Sequence, residues 1–428
     1  MGLSIFWFRR DLRLEDNAGL MAALQSGNQV VPLFIFDQTI LSKLEVMDPR
    51  LNFIHEQLKK LNLQLAPYES SLQCEIGEPL DIWLNLIAQL NISAVYANQD
   101  YEPYAMDRDK NIKALLSEHG IPFITTKDQV IFEGKDILKA DGTPYTVFTP
   151  YKNQWLAHFN PSLVQVGTPH FKIFCKQKKP LPSLNQIGFQ ESSIKVRPYD
   201  LSEIDDYASN RDVPSSDGTS YLSPHLRFGT VGVRQLIAKL KPKDFIFLSE
   251  LIWREFFMQI LYHFPQVVTS NFKRKYDGIT WRNDEAEFEK WCQGKTGYPM
   301  VDAGMRQLNE TGYMHNRVRM VTASFLCKHL LIDWRWGETY FAQKLLDFEL
   351  SSNNGNWQWS AGTGCDAAPY FRVFNPTSQQ EKFDPKGEYI KKWLPELNSF
   401  DYPTPMVDHQ QARVRALSVY KKGLEAYR

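Results

Sequence analysis

The first 130 residues alternate short apolar runs with amphipathic stretches, and no other feature limits the fold as tightly. Residues 3–8, 30–36, 92–97 and 121–125 are rich in β-branched and aromatic side chains and almost continuously apolar. Strands buried on both faces read this way. Helical patterns fall between them over residues 17–25, 50–63, 79–90 and 103–118, with Gly27 and Gly120 as stops. Such alternation predicts a doubly wound parallel sheet, whose ligands sit beyond the carboxyl ends of the strands. The first such end runs into Arg9, Arg10, Asp11 and Arg13. Neither a GxGxxG nor a P-loop motif is present, so a standard dinucleotide or ATP site is not expected there.

The pattern then breaks. Pro144, Pro150, Pro161, Pro169, Pro180, Pro182 and Pro198 interrupt any long helix over residues 131–200. This stretch reads as a long linker, and residues 201–428 read as mainly helical. The expected fold class is therefore α/β plus all-α. The apolar fraction of 43% excludes disorder, and 428 residues suffice for more than one core. The most apolar helical stretch, residues 245–268, carries Glu250, Arg254 and Glu255, so no membrane span is expected. The N-terminus runs from apolar to charged, the reverse of a signal peptide. Five scattered cysteines without a CxxC pair argue against a disulfide framework or a zinc site and fit a reduced cytoplasm.

Charge is unevenly placed. Residues 1–206 hold 20 basic and 25 acidic side chains, a balance of −5, and the remainder hold 29 and 24, a balance of +5. Eight of the 11 tryptophans lie at or after Trp253. A basic, Trp-rich half suits anionic, stackable ligands, although on charge alone ordinary surfaces are the better reading.

Four segments could carry chemistry. In SSDGTSYLSPHLRFG, residues 215–229, Thr219, Ser220 and Ser223 cluster near a helix start, as a diphosphate site or a simple cap would require. In SELIWREF, residues 249–256, Glu250, Trp253 and Arg254 share one helical face. That face offers an indole and a carboxylate, or merely a packed wall. In GYMHNRVRMVTASFL, residues 312–326, Asn316, Arg319 and Met320 share a face with Arg317 beside it. Buried arginines need partners, and Asp347 is the natural one. His315 receives no acid–base role, because a lone histidine is more often structural. Residues 345–376 are dense in Trp, Asn and Gly. Asn353, Asn354 and Asn356 are poor helix formers, so this segment is expected to be a functional loop. Trp357 and Trp359 would then face opposite ways.

These segments, with the opening FWFRRDLRLEDN, closely resemble the photolyase/cryptochrome family over nearly the whole chain. Class I cyclobutane pyrimidine dimer photolyases are the closest group. The resemblance implies an antenna domain over 1–130, a linker over 131–200 and a helical FAD-binding catalytic domain over 201–428. Tyr207, Thr219, Ser220, Leu222, Ser223 and Arg254 match the FAD cavity and its phosphate motif. Arg319 and Asp347 match an ion pair beside the isoalloxazine, and Asn353 matches the residue facing flavin N5. Glu250, Trp253, Asn316, Met320 and Trp359 match the pocket for a flipped-out dimer. Trp281, Trp334 and Trp357 match a chain that passes electrons from surface to flavin. Arg317, Arg372 and Lys382 are assigned to DNA phosphates, Arg317 alternatively to the dimer pocket. The implied activity is light-driven repair of DNA, an electron passing from excited reduced FAD to the dimer. A monomer with no obligate protein partner is expected.

Five positions depart from the family pattern. Glu349 stands for the usual Asp and is carried as an FAD contact, and Asn356 stands for a Gly. Ala105 replaces a folate-binding Glu, and Val267 and Val268 replace a Cys–Lys pair. Folate binding in that mode is therefore disfavoured, which leaves a deazaflavin, a second flavin or no antenna at all. The alternatives are a cryptochrome photoreceptor and a (6-4) photolyase. Asn353 argues for a photolyase over a cryptochrome, and Asn316 argues for cyclobutane dimers.

Overall fold

A computed structural model describes residues 2–165, 167 and 171–427. The chain divides into two compact units, each assembled from three segments. One comprises Met1–Ile137, Gln154–Tyr199 and Tyr221–Pro242, and the other Leu138–Asn153, Asp200–Ser220 and Lys243–Arg428. Residues 131–200, read as a linker, thus divide between the two units.

The first unit holds five parallel strands: β1 (Leu3–Phe8), β2 (Gln29–Asp37), β3 (Gln73–Gly77), β4 (Ile92–Asn98) and β5 (Phe123–Thr126). Their order is β3-β2-β1-β4-β5, the doubly wound arrangement expected from the alternation. The period of two explains why β1 is apolar at all but Ser4. Phe6 and Phe8 enter one core layer with Leu20 and Leu58, while Ile5 and Trp7 enter another with Trp83 and Leu116. The sequence reading missed β3. It reads QCEIG and pairs only with β2 at the sheet edge, so it lacks the apolar run that marks a central strand. The helices match closely. Asn17 caps Ala18–Gln25 through its side chain, and Pro49–Leu65, Pro79–Gln89 and Pro103–Glu118 follow, each with Pro at its start.

Helices build the second unit. Its largest core gathers Trp291, Met300, Val318, Phe325, Trp334 and Trp357. The expected loop over residues 345–376 is corrected here: Leu350–Ala361 is a helix. Weak propensity is overcome by tertiary bonding. Asn354 Nδ2 and Gln358 Nε2 both donate to the Val267 carbonyl at 3.0 Å, and Gln358 also reaches Asn354 Oδ1 at 3.1 Å. Gly355 admits the Phe257 ring, which a Cβ would approach to 2.1 Å. Gly362, at φ +87°, ends the helix in the left-handed conformation. Trp357 and Trp359 still point apart, because two residues on a helix turn through about 200°: the first is buried and the second half-buried.

Candidate functional site

The helix Phe245–His263 is buried along most of its length, yet Glu250, Trp253 and Arg254 are each only partly so. They form the half-exposed wall foreseen from their spacing. The partner of Glu250 was not foreseen: Arg211 Nη1 lies 2.7 Å from its Oε1. Tyr207 lies under the Arg211 guanidinium at 5.5 Å and edge-on to Phe247 at 5.1 Å. Burial, then the nearby Glu250 carboxylate, pushes the Tyr207 phenol up to about 12. Trp253 lies flat on Phe148, with centroids 3.6 Å apart and planes 9° apart, and Phe257 stacks less closely at 5.4 Å. Phe148 opens the helix Phe148–His158, in the stretch read as linker, and nothing in its local sequence marks it as a site residue. It is held there by its backbone N–H donating to Asp366 Oδ2 at 2.9 Å.

The helix Asn316–Ser324 carries the second group. Asn316 is exposed, Arg317, Arg319 and Met320 are half-buried, and Val318 and Val321 face the core. Arg319 meets Asp347, the partner inferred from sequence, through two bonds of 2.9 and 3.2 Å, and its Nε donates to the Met314 carbonyl at 2.8 Å. Arg317 Nη2 donates to Asp212 Oδ1 at 2.8 Å, and its guanidinium lies 4.2 Å over the Phe383 ring. Lys382 lies over the same ring at 5.1 Å, so two of the three cations assigned to phosphates share one platform. Arg372 is exposed and joins neither. His315 caps the helix: its Nδ1 accepts from the Arg317 backbone N–H at 3.2 Å. Burial pushes this imidazole down to about 4, so it is neutral near pH 7.

Asn353 lies on the helix Leu350–Ala361. Its Nδ2 spends both hydrogens on Glu338, at 2.8 Å to Oε1 and 3.1 Å to the carbonyl, while Oδ1 carries no partner among the described residues. Burial raises the Glu338 carboxyl above its usual range, against the Asn353 bond that lowers it. Glu338 is a residue the sequence reading missed, and its spacing from Asn353 offers no signal. The doubtful Glu349 is buried and turns to its own helix start, accepting from Ser351 Oγ and from Ser352 Oγ at 3.1 Å.

Of the electron-chain candidates, Trp334 is buried and donates to Asn271 Oδ1 at 2.8 Å. Trp357 packs on the helix Trp334–Lys344 at Gly337, three residues from Trp334, where a Cβ would meet its ring at 2.1 Å. Its nearest ring partners are Phe341 at 4.9 Å and Trp291 at 6.1 Å. Trp281 is half-buried against Tyr420 at 5.9 Å, and Trp359 lies 6.5 Å from Phe374. Thr219 and Ser220 close one segment of the helical unit. Leu222 is buried in the sheet unit, and Ser223 opens the short helix Ser223–Arg227 there.

The carboxyl end of the sheet is a separate polar cluster. Arg13 pairs with Asp128 at 2.8 Å, and Arg234 bridges Asp128 and Asp16 at 2.7 Å each. Arg10 meets Glu102 at 2.8 Å, Arg9 pairs with Asp109, and Arg108 lies 4.8 Å over Trp7. Burial would raise the Asp100 carboxyl, but Arg10, Arg9, Arg227 and Arg108 together hold it down at about 2. Ala105 is buried in the helix Pro103–Glu118.

Comparison with known proteins agrees with this geometry. Residues 4–170 match the DNA photolyase family model, and residues 247–401 match that of the FAD binding domain of DNA photolyase. The chain is 37% identical to a deoxyribodipyrimidine photo-lyase of Vibrio cholerae, over 98% of its own length and 99% of that protein. It superposes on a bacterial class III photolyase from Agrobacterium tumefaciens with a TM-score of 0.89 at 34% identity, covering 99% and 98% of the two chains. An archaeal photolyase from Sulfolobus tokodaii, solved with two FAD molecules, gives 0.82 at 36% identity over 98% and 100%. The chain belongs to the photolyase/cryptochrome family. It is an enzyme of the photo-lyase class, and its cofactor is FAD.

Proposed function

We propose that this chain repairs DNA by splitting cyclobutane pyrimidine dimers under light. The observation that carries the reading is the Asn353 amide. With both amide hydrogens spent on Glu338, it is held with Oδ1 as an open acceptor. An acceptor suits the N5–H of a reduced flavin, and a neutral one adds no negative charge beside an anionic ring. The Asn353 acceptor and the donors of Arg254, Thr219 and Ser220 suit FAD, with Arg319 and Asp347 beside the ring and Arg254, Thr219 and Ser220 toward the phosphates. When bound and excited, FAD supplies a one-electron reductant, and the protein supplies placement and electrostatics.

The remaining residues take the substrate. Glu250 would hydrogen-bond the dimer, and Asn316 would bond the base edge. Met320 and Trp359 would line the pocket of the flipped-out bases. Trp253 would meet them with whatever surface Phe148 leaves uncovered. Trp281, Trp334 and Trp357 would carry electrons inward, and Arg317, Lys382 and Arg372 would meet phosphates. The state of His315 favours cyclobutane dimers over (6-4) products. Its Nδ1 is committed to a helix cap and its low pKa leaves it unprotonated, which suits a proton donor poorly.

The test illuminates reduced protein with an oligonucleotide carrying one thymine dimer and counts restored strands. Repair in light and none in darkness is expected, and no repair at stoichiometric enzyme overturns the reading. Asn353→Asp should lower the quantum yield about tenfold, the worth of one charge-assisted bond.

A further inference from the structure

Arg211 and Asp212 are consecutive, oppositely charged, and paired to different helices of one unit. Arg211 neutralises Glu250 on Phe245–His263, and Asp212 neutralises Arg317 on Asn316–Ser324. Both of their partners are residues assigned above to substrate.

The Arg317 guanidinium is tightly defined. One face lies on Phe383, its Nη2 holds the Asp212 carboxylate, and its Nε is buried without a partner. A planar cation with a buried, unused donor has capacity for a second oxygen beside the first, which is the geometry a phosphate takes from arginine. The side chain of Asp212 is 45% exposed against 19% for Arg317, so the carboxylate could turn into water at little cost while the guanidinium stays seated. An arginine without an internal partner would be screened by mobile salt. Here the counterion is tethered to the chain, and its local concentration does not depend on the buffer.

We propose that Asp212 is a built-in phosphate stand-in, which a DNA backbone phosphate must displace from Arg317. This rests on the reading of Arg317 as a phosphate contact. The consequence is a fixed tax on DNA binding, set by one exposed carboxylate and absent from any count of basic residues. Because Arg211 is the next residue, moving Asp212 off Arg317 also pulls on the group that covers Glu250. Phosphate contact and access to the dimer-binding carboxylate are thereby coupled.

The test measures binding of a labelled duplex bearing one thymine dimer, in darkness, by fluorescence anisotropy with FAD-loaded full-length protein. Asp212→Asn should bind roughly three- to tenfold tighter than wild type, the range a partly exposed ion pair commands. Asp212→Glu, which keeps the carboxylate, should bind like wild type. In an Arg317→Gln background, Asp212→Asn should bring no gain. Unchanged or weaker binding by Asp212→Asn overturns the proposal, as does an equal gain in the Arg317→Gln background, which would mean simple charge repulsion. Wild-type affinity for Arg317→Gln alone would instead remove the phosphate reading of Arg317, whatever Asp212 does. Flavin absorbance of each variant verifies that the fold is retained.

Discussion

Charge is managed in opposite ways in the two units. At the carboxyl end of the sheet, each charge meets an opposite one: Arg13, Arg234, Asp16 and Asp128 form a buried lattice of ion pairs in which only single atoms such as Arg13 Nε and Asp16 Oδ2 lack a hydrogen bond, and Asp100 answers to four arginines. In the helical unit, ionisable and polar groups are left incomplete. Asn353 has an open acceptor, and Lys328 is buried with, among the described residues, only the Tyr370 carbonyl, at 3.0 Å, and the Tyr420 ring, at 4.1 Å, against its ammonium. A closed lattice holds shape and offers a ligand little. An incomplete one costs stability and leaves capacity for binding. The difference also bears on the antenna. A second chromophore at the sheet end would have to reorganise paired charges, whereas a flavin placed as proposed at Asn353 would meet an acceptor that is already open.

The largest effect should come from opening the closed lattice. Asp128→Ala leaves Arg13 and Arg234 facing each other without their shared acid. Breaking a buried pair on one side costs about 3–5 kcal/mol. Urea unfolding should register the loss. A cost below about 1 kcal/mol would mean that the lattice is hydrated and that the contrast drawn above is overstated.

The next test addresses the lone charge. Burial pushes the Lys328 ammonium down to about 7, from an ordinary 10.5. Between those values the unfolded chain binds the proton and the folded one does not, so stability should rise with pH across that window. The slope from this group is at most about 1.4 kcal/mol per pH unit. Asp100 works at the other end. Its depressed carboxyl stabilises above the ordinary carboxylate value of 3.8, and that stability is lost as pH falls toward 2. Unfolding midpoints should therefore flatten between pH 7 and 10 in Lys328→Met, and between pH 2 and 4 in Asp100→Asn. An unchanged alkaline slope in Lys328→Met would show that another group titrates there.

The sheet was legible because its central strands are apolar on both faces, which leaves a dense local signal. Of the two edge strands, β5 kept a β-branched and aromatic run, and β3, reading QCEIG, escaped. The site was legible where spacing on one helix suffices, as for Glu250, Trp253 and Arg254, or where a buried charge demanded a partner, as for Arg319 and Asp347. It was illegible where a residue acts through a distant chain segment. Phe148 stacks on Trp253 from 105 positions away, and Arg211 reaches Glu250 across 39. The Asn-rich segment misled for the same reason. Its helix is held by amides bonding to Val267, 87 and 91 positions distant, and local propensity carries no trace of that.

The smallest expected effect is the most diagnostic for function. If Glu338 matters by holding the Asn353 amide in one of its two orientations, then acceptor chemistry is what counts and negative charge is incidental. Glu338→Gln retains an oxygen that can accept from Nδ2, so repair should stay near wild type. Glu338→Ala leaves only the backbone carbonyl, the amide can turn over, and a donor replaces the acceptor for part of the time. A lost bond of about 1 kcal/mol corresponds to a several-fold drop in quantum yield. Should Glu338→Gln fall as far as Glu338→Ala, charge at this position would be the operative quantity. The oriented amide would then lose its place as the feature that separates the open site from the closed lattice.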